Sequence, residues 1–210
     1  MDRHKTTLQT WDKVASAYET KFMNMDLYND TYDFFCQSVE KQNPNVLEIG
    51  CGPGNITKYL LTKRPDFKIE AIDFAPNMIE LAKTNNPKAN FKILDCREVD
   101  TLSSKFDAII CGFCIPYLSK RECSKLIKDC ASLLNVNGIL YFSAIEGDYQ
   151  KSGYEKSSTG DQAYVYYYEE DYFLKTLKDI NFQLLEFNRK KYPQTPASFS
   201  THIIFVTKKK

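Results

Sequence analysis

The chain has 210 residues, 28 basic against 27 acidic side chains, a formal charge of +1 and 43% hydrophobic residues, so it can bury one sizeable core. That balance excludes the broad basic footprint of a phosphate-backbone binder, and no nucleic-acid partner is expected. No apolar run approaches the roughly 20 residues that a membrane span requires.

From the first residues onward, Trp11, Val14, Ala15 and Tyr18 fall at i, i+3, i+4 and i+7 and so share one face of a predicted helix, and a second helix is expected over Tyr28 to Val39. The apolar strand at 45–49 then runs into Glu48-Ile49-Gly50-Cys51-Gly52-Pro53-Gly54-Asn55, three glycines at alternate positions ahead of a helix over 55–63. Glycine lacks Cβ and tolerates positive φ, so such a turn lets a ligand come close to the main chain, and the helix N-terminus behind it offers unpaired N–H groups. A strand at 67–73 ends in Asp73, 23 residues beyond Gly50, near the spacing at which doubly wound folds place an acid on ribose hydroxyls. A carboxylate offers two acceptor oxygens to the two donors of a vicinal diol. The alternative is that Asp73 only caps the next helix, over 76–84, where Pro76 suits the first turn.

A short strand at 90–94 ends in Asp95, and an apolar strand at 106–112 runs into Phe113, Pro116 and Tyr117. The next helix, 119–134, places Cys123 and Cys130 on one face as small buried residues, and Asn135 to Gly138 form a stop and turn before a strand at 137–144. Glu146 to Glu170 is an insertion rich in tyrosine, read either as an aromatic lid or as a β-rich hairpin or dimer contact. Phe182 to Phe187 and Ile203 to Val206 supply a final strand pair, and Tyr192 to Ser200, with two prolines, reads as a loop between them. Arg189-Lys190-Lys191 and Lys208-Lys209-Lys210 are taken as solvated loop and tail. Alternation of strand and helix predicts an α/β fold, a doubly wound, mostly parallel sheet with helices on both faces, in a single domain spanning 1–210. Residues 1–42 form its helical cap and 146–170 its substrate-side insertion.

Seven cysteines follow a polar start, Met1-Asp2-Arg3-His4-Lys5, and the expectation is free thiols in a reducing cytoplasm. Cys111-x-x-Cys114 has metal-like spacing but no second pair, and His4 and His202 are the only histidines, so no metal is expected.

Two cofactor classes use a glycine turn of this kind. The dinucleotide fingerprint is G-x-G-x-x-G; here Gly54 comes one residue early and Asn55 stands in the third glycine's place, which disfavours an NAD-dependent oxidoreductase. The pattern E-x-G-x-G-x-G instead resembles the first motif of class I S-adenosylmethionine-dependent methyltransferases. The resemblance implies a seven-stranded sheet with its last strand antiparallel, S-adenosylmethionine as cofactor with S-adenosylhomocysteine as product, and a small-molecule acceptor methylated at O, N or C. It puts Glu48 near the methionine ammonium, Gly50, Cys51, Gly52, Gly54 and Asn55 in the loop beneath methionine and ribose, Asp73 on the ribose, and Phe74 and Met78 beside the adenine. Asp95 would accept from the adenine amine while the Cys96 N–H meets a ring nitrogen. Cys111 would lie beneath the transferable methyl group and Tyr18 near the sulfonium, with Phe113, Tyr117, Tyr154 and Tyr168 bordering the acceptor. No catalytic base stands out; His4, His202, Tyr18 and Tyr117 are the visible options, and a non-catalytic cofactor-binding protein is the alternative. A monomer or homodimer is expected.

Overall fold

A computed structural model describes residues 3–156, 160–195 and 197–210. Three helices lead, α1 (Arg3–Lys13), α2 (Ala15–Phe22) and α3 (Asn29–Ser38), followed by β1 (Asn45–Ile49), α4 (Asn55–Lys63), β2 (Lys68–Asp73), α5 (Pro76–Asn85), β3 (Asn90–Ile93) and β4 (Phe106–Cys111). The second half comprises α6 (Lys120–Leu133), β5 (Leu134–Glu146), β6 (Gly153–Lys156), β7 (Gln162–Val165), β8 (Tyr167–Tyr168), α7 (Glu170–Asp179), β9 (Phe182–Thr195) and β10 (Ser198–Lys209).

The sheet order is β3-β2-β1-β4-β5-β10-β9, with the short β8 also pairing with β5. The pairs from β3 to β5 are parallel, and β10 runs antiparallel to both β5 and β9. The chain steps outward from β1 through β2 to β3 and then returns to the other side of β1, which makes the C-terminal ends of β1 and β4 a topological switch point where a crevice must open. Successive residues of each strand point to opposite faces, so Leu47 and Ile49 pack under α6 and α7 with Ile109, Phe142 and Phe205, while Val46, Ala108, Ile110 and Tyr141 pack under α3 and α4. The amphipathic α6 buries Cys123, Leu126, Ile127, Cys130 and Leu133, and starts at a capping box in which Ser119 and Glu122 bond each other's backbone.

Three expectations about elements change. Trp11 to Tyr18 is not one helix: α1 and α2 break at Val14 (φ −93°, ψ 10°), yet Trp11, Ala15 and Tyr18 still form one apolar cluster. Tyr192 to Ser200 is not a loop, because β9 continues to Thr195 and β10 begins at Ser198. Pro193, paired with Phe199, is tolerated there because β9 is an edge strand, where a missing N–H costs no ladder bond. The tyrosine-rich insertion folds as the antiparallel hairpin β6/β7, which is the second of its two readings.

Candidate active site

The turn after β1 is clipped to β2 before any ligand is considered. Gly50 N and Cys51 N both donate to Ile72 O, at 2.8 and 3.0 Å, and Gly52 N donates to Asp73 Oδ2 at 2.9 Å. Gly50, Gly52 and Gly54 all have positive φ (71°, 53° and 83°), but only the first two line the crevice. A Cβ on Gly54 would sit 2.3 Å from Asn86 Nδ2, which donates to Gly54 O. The third glycine therefore serves close packing of α4 on the end of α5.

Asp73 ends β2 with 7% of its surface exposed. Its second oxygen accepts from Ala75 N at 2.9 Å, so the carboxylate ties the residue ahead of α5 to the glycine turn, with lone pairs left towards the crevice. Burial raises its pKa to about 6 despite those backbone bonds. Asp73 does not cap α5, whose N-cap is Ala75 with no side-chain cap bond. Glu48 lies deeper, fully buried, with Oε2 accepting a 2.5 Å bond from Thr57 of α4 while Oε1 has no protein partner. Desolvation lifts its pKa to about 8, so it holds a proton at neutral pH.

Asp95 also lines the crevice, and the structure gives it a partner that the sequence reading missed. Arg97 forks onto it, Nε to Oδ1 at 3.0 Å and one terminal nitrogen to Oδ2 at 2.6 Å. Although burial works against ionisation, this guanidinium holds Asp95 below its ordinary pKa. Arg97 follows Asp95 by two residues, a spacing that could have flagged the pair.

Tyr18, Gly50, Gly52, Asp73, Phe74, Met78, Asp95 and Cys96 are brought together around this one crevice. Glu48, Cys51, Gly54 and Cys111 lie behind it, and Asn55 faces a neighbouring cavity instead. Cys111 is buried in the core behind Gly112, whose backbone does reach the crevice. Among the described residues, no group of histidine, cysteine, aspartate and glutamate side chains could hold a metal.

The second cavity shares the walls Trp11, Tyr18, Phe113 and Tyr117 with the first and continues past them to Tyr28, Tyr192 and His202. Tyr154 and Tyr168 reach neither. Tyr168 is wholly buried, packed on Phe173 with its hydroxyl donated to Leu118 O, and Tyr154 turns its ring edge-on to Tyr164 at 5.1 Å. The insertion's tyrosines largely stack on one another, as in the 4.7 Å Tyr164–Tyr166 pair, and this spends their flat faces within the hairpin and its base.

A strap of α1 closes the first cavity from above. Asp12 accepts from Asn77 N at 2.7 Å on the α5 side, Arg3 donates to Tyr166 OH at 3.1 Å and Thr10 to Gln162 O at 2.6 Å on the hairpin side, and His4 meets Glu122 at 2.8 Å. Trp11 is thereby pressed inward, and its buried Nε1 has no protein partner.

Residues 46–138 match the family described as Methyltransferase domain. The fold superposes on 1,6-didemethyltoxoflavin-N1-methyltransferase of Burkholderia thailandensis, crystallised with 1,6-didemethyltoxoflavin and S-adenosylhomocysteine, at a TM-score of 0.70 and 17% identity over 100% of this chain and 91% of that one. The chain has the fold of solved S-adenosylmethionine-dependent methyltransferases, and the stretch from β1 to β5 carries the family match. Among curated relatives, this chain is 29% identical to the putative methyltransferase 235L of Invertebrate iridescent virus 6 over 119 residues, 57% of this chain and 43% of that one. It is 25% identical to the tRNA N(3)-methylcytidine methyltransferase trm141 of Schizosaccharomyces pombe over 206 residues, 88% of this chain and 83% of that one. The chain thus spans less than half the length of the viral relative. No helix among the described residues is long and apolar enough to cross a membrane.

Proposed function

We propose that this methyltransferase moves a methyl group from S-adenosylmethionine to a small-molecule acceptor held in the aromatic cavity. The observation that carries this reading is the adjacency of the two cavities: the glycine-turn crevice shares the walls Trp11, Tyr18, Phe113 and Tyr117 with a second space walled by further aromatic rings. S-adenosylmethionine, when bound, supplies a methyl carbon already activated by its positive sulfur.

The residues present suit such a ligand. Asp73 has acceptor capacity for a ribose diol, Asp95 and the Cys96 backbone face the adenine end beside Phe74 and Met78, and the Gly50–Gly52 turn passes beneath. At this site the buried Trp11 Nε1 lacks a protein partner, which fits a ligand that carries an acceptor. Tyr18 and Trp11, ring centroids 5.6 Å apart and set edge-on, offer π faces to a cationic sulfur. The strap of α1 excludes water and fixes orientation, and alignment alone can supply on the order of 7–11 kcal/mol. In this reading α1 and α2 are the cap of a single catalytic unit.

The likeness to a tRNA methyltransferase over most of the chain favours a second reading, an RNA acceptor. The formal charge of +1 and the tyrosine-walled cavity beneath the strap support the small acceptor instead. Release of S-adenosylhomocysteine, measured with a panel of small hydroxyl and amine acceptors beside total tRNA, separates them. Turnover with small acceptors alone is expected; turnover with tRNA alone overturns the small-molecule reading, and cofactor binding without any turnover points to a regulatory protein.

A further inference from the structure

Resting on the methyl-transfer reading, we propose that Tyr28, His202 and Ser200 form a proton relay at the acceptor site, and that the acceptor is a planar ring bearing a removable O–H or N–H proton. The relay is continuous in the structure. Tyr28 OH lies 2.8 Å from His202 Nδ1, and His202 Nε2 lies 3.0 Å from Ser200 Oγ. Tyr28 and His202 both line the aromatic cavity. The imidazole, 7% exposed, is stacked on Tyr192 at 5.3 Å and 9° and lies nearly parallel to Tyr28, with Phe113 tilted against it at 5.4 Å. These rings pack on one another and give the cavity an aromatic wall on which a flat ring finds more contact than a globular one. Phe113 is held in the left-handed region (φ 62°), which a bulky side chain rarely adopts, and its N–H is fixed by Ser143 Oγ at 2.9 Å. The strain keeps a ring on the wall shared by the two cavities.

In the Nε2–H tautomer, His202 donates to Ser200 and accepts from Tyr28, leaving the Tyr28 oxygen free to accept from the substrate. As the acceptor oxygen or nitrogen forms its bond to the methyl carbon, the methyl–sulfur pair remains on sulfur. The acceptor proton passes to Tyr28 and the Tyr28 proton to His202 Nδ1. Burial lowers the His202 pKa to about 4, so the imidazole is neutral at physiological pH and takes up a proton only where the charge it gains is offset. Its charging in a buried site is offset because one positive charge leaves sulfur in the same step, so the net charge of the enclosure is unchanged.

The test uses the full chain, first titrated with S-adenosylhomocysteine and then with 7-hydroxycoumarin, 4-nitrophenol or cyclohexanol. Absence of S-adenosylhomocysteine binding would defeat the methyl-transfer reading before a phenol is added. Given that binding, both phenols are expected to bind at least tenfold tighter than cyclohexanol, and bound 7-hydroxycoumarin to show an increased share of its ionised excitation band. With S-adenosylmethionine both are methylated. Tyr28→Phe is expected to shift the bound probe to its neutral band and lower kcat at least tenfold, while KM for S-adenosylmethionine and S-adenosylhomocysteine affinity stay within twofold. His202→Asn does the same, and Ser200→Ala, at the partly exposed end of the relay, lowers kcat severalfold should either core variant fail to fold. Failure of both phenols to bind, equal binding of cyclohexanol, or a Tyr28→Phe protein with unchanged band ratio and kcat overturns the proposal.

Discussion

Asp73 shows how one side chain joins fold and chemistry. Its oxygens accept from Gly52 N and Ala75 N, so it shapes the turn that the ligand must meet, and the same carboxylate faces the crevice. Asp73→Asn keeps the size but loses the charge, and isothermal calorimetry should show S-adenosylhomocysteine affinity reduced about tenfold, the effect of roughly 1.5 kcal/mol for a charge-assisted bond. Because its pKa stands near 6, wild-type affinity should weaken as pH falls from 7 to 5, and this pH dependence should flatten in the variant. Glu48 makes a separate pH prediction. Its folded pKa of about 8 exceeds its ordinary 4.5, so the folded state keeps a proton that the unfolded state has lost. Stability should therefore decline as pH rises from about 4.5 through 8 and level off above that, and Glu48→Gln should remove much of the slope in urea titrations. Gly50, Gly52, Asp73 and Asp95 were legible because strand ends and spacing mark them. Tyr28 was not, and His202 stood only as one of several possible bases, because what they touch is set by tertiary neighbours; Arg97 was missed although its partner lies two residues away.

The elements carry a different lesson about glycines and prolines. The spacing of Gly54 placed it in the ligand turn, whereas its φ of 83° and the 2.3 Å approach of Asn86 to a would-be Cβ assign it to the junction of α4 and α5. Gly54→Ala should lower stability by about 1–3 kcal/mol, the cost of a side chain in the left-handed region, seen as a lower urea midpoint at unchanged slope. Ser119→Ala removes the capping box of α6 and should cost about 1 kcal/mol in the same assay. The alternating strands and helices from β1 to β5 were readable because parallel strands buried on both faces are apolar runs with clear breaks. The β9/β10 hairpin was not, since two prolines in the sequence from Tyr192 to Ser200 read as a loop signal and only edge position excuses Pro193. The insertion's tyrosines were misassigned to the acceptor for a related reason: composition reports flat rings but not whether they stack on a ligand or on each other.

At the scale of the molecule, the switch point between β1 and β4 opens the crevice, and the N-terminal helices close it. Nothing in the alternation of the sheet residues specifies that closure; it depends on scattered contacts such as Asp12 with Asn77 and Arg3 with Tyr166. The glycine turn and strand-end acids of the first crevice sit in local motifs, while the second cavity is assembled from α2, α3, the turn after β4 and the β9/β10 hairpin, far apart in sequence. The most direct measurement is calorimetric titration of the full chain with S-adenosylhomocysteine beside NADH on the same preparation. Micromolar binding of S-adenosylhomocysteine with no heat from NADH is the predicted result; saturable NADH binding without S-adenosylhomocysteine binding would contradict the reading of the glycine turn and of everything built upon it.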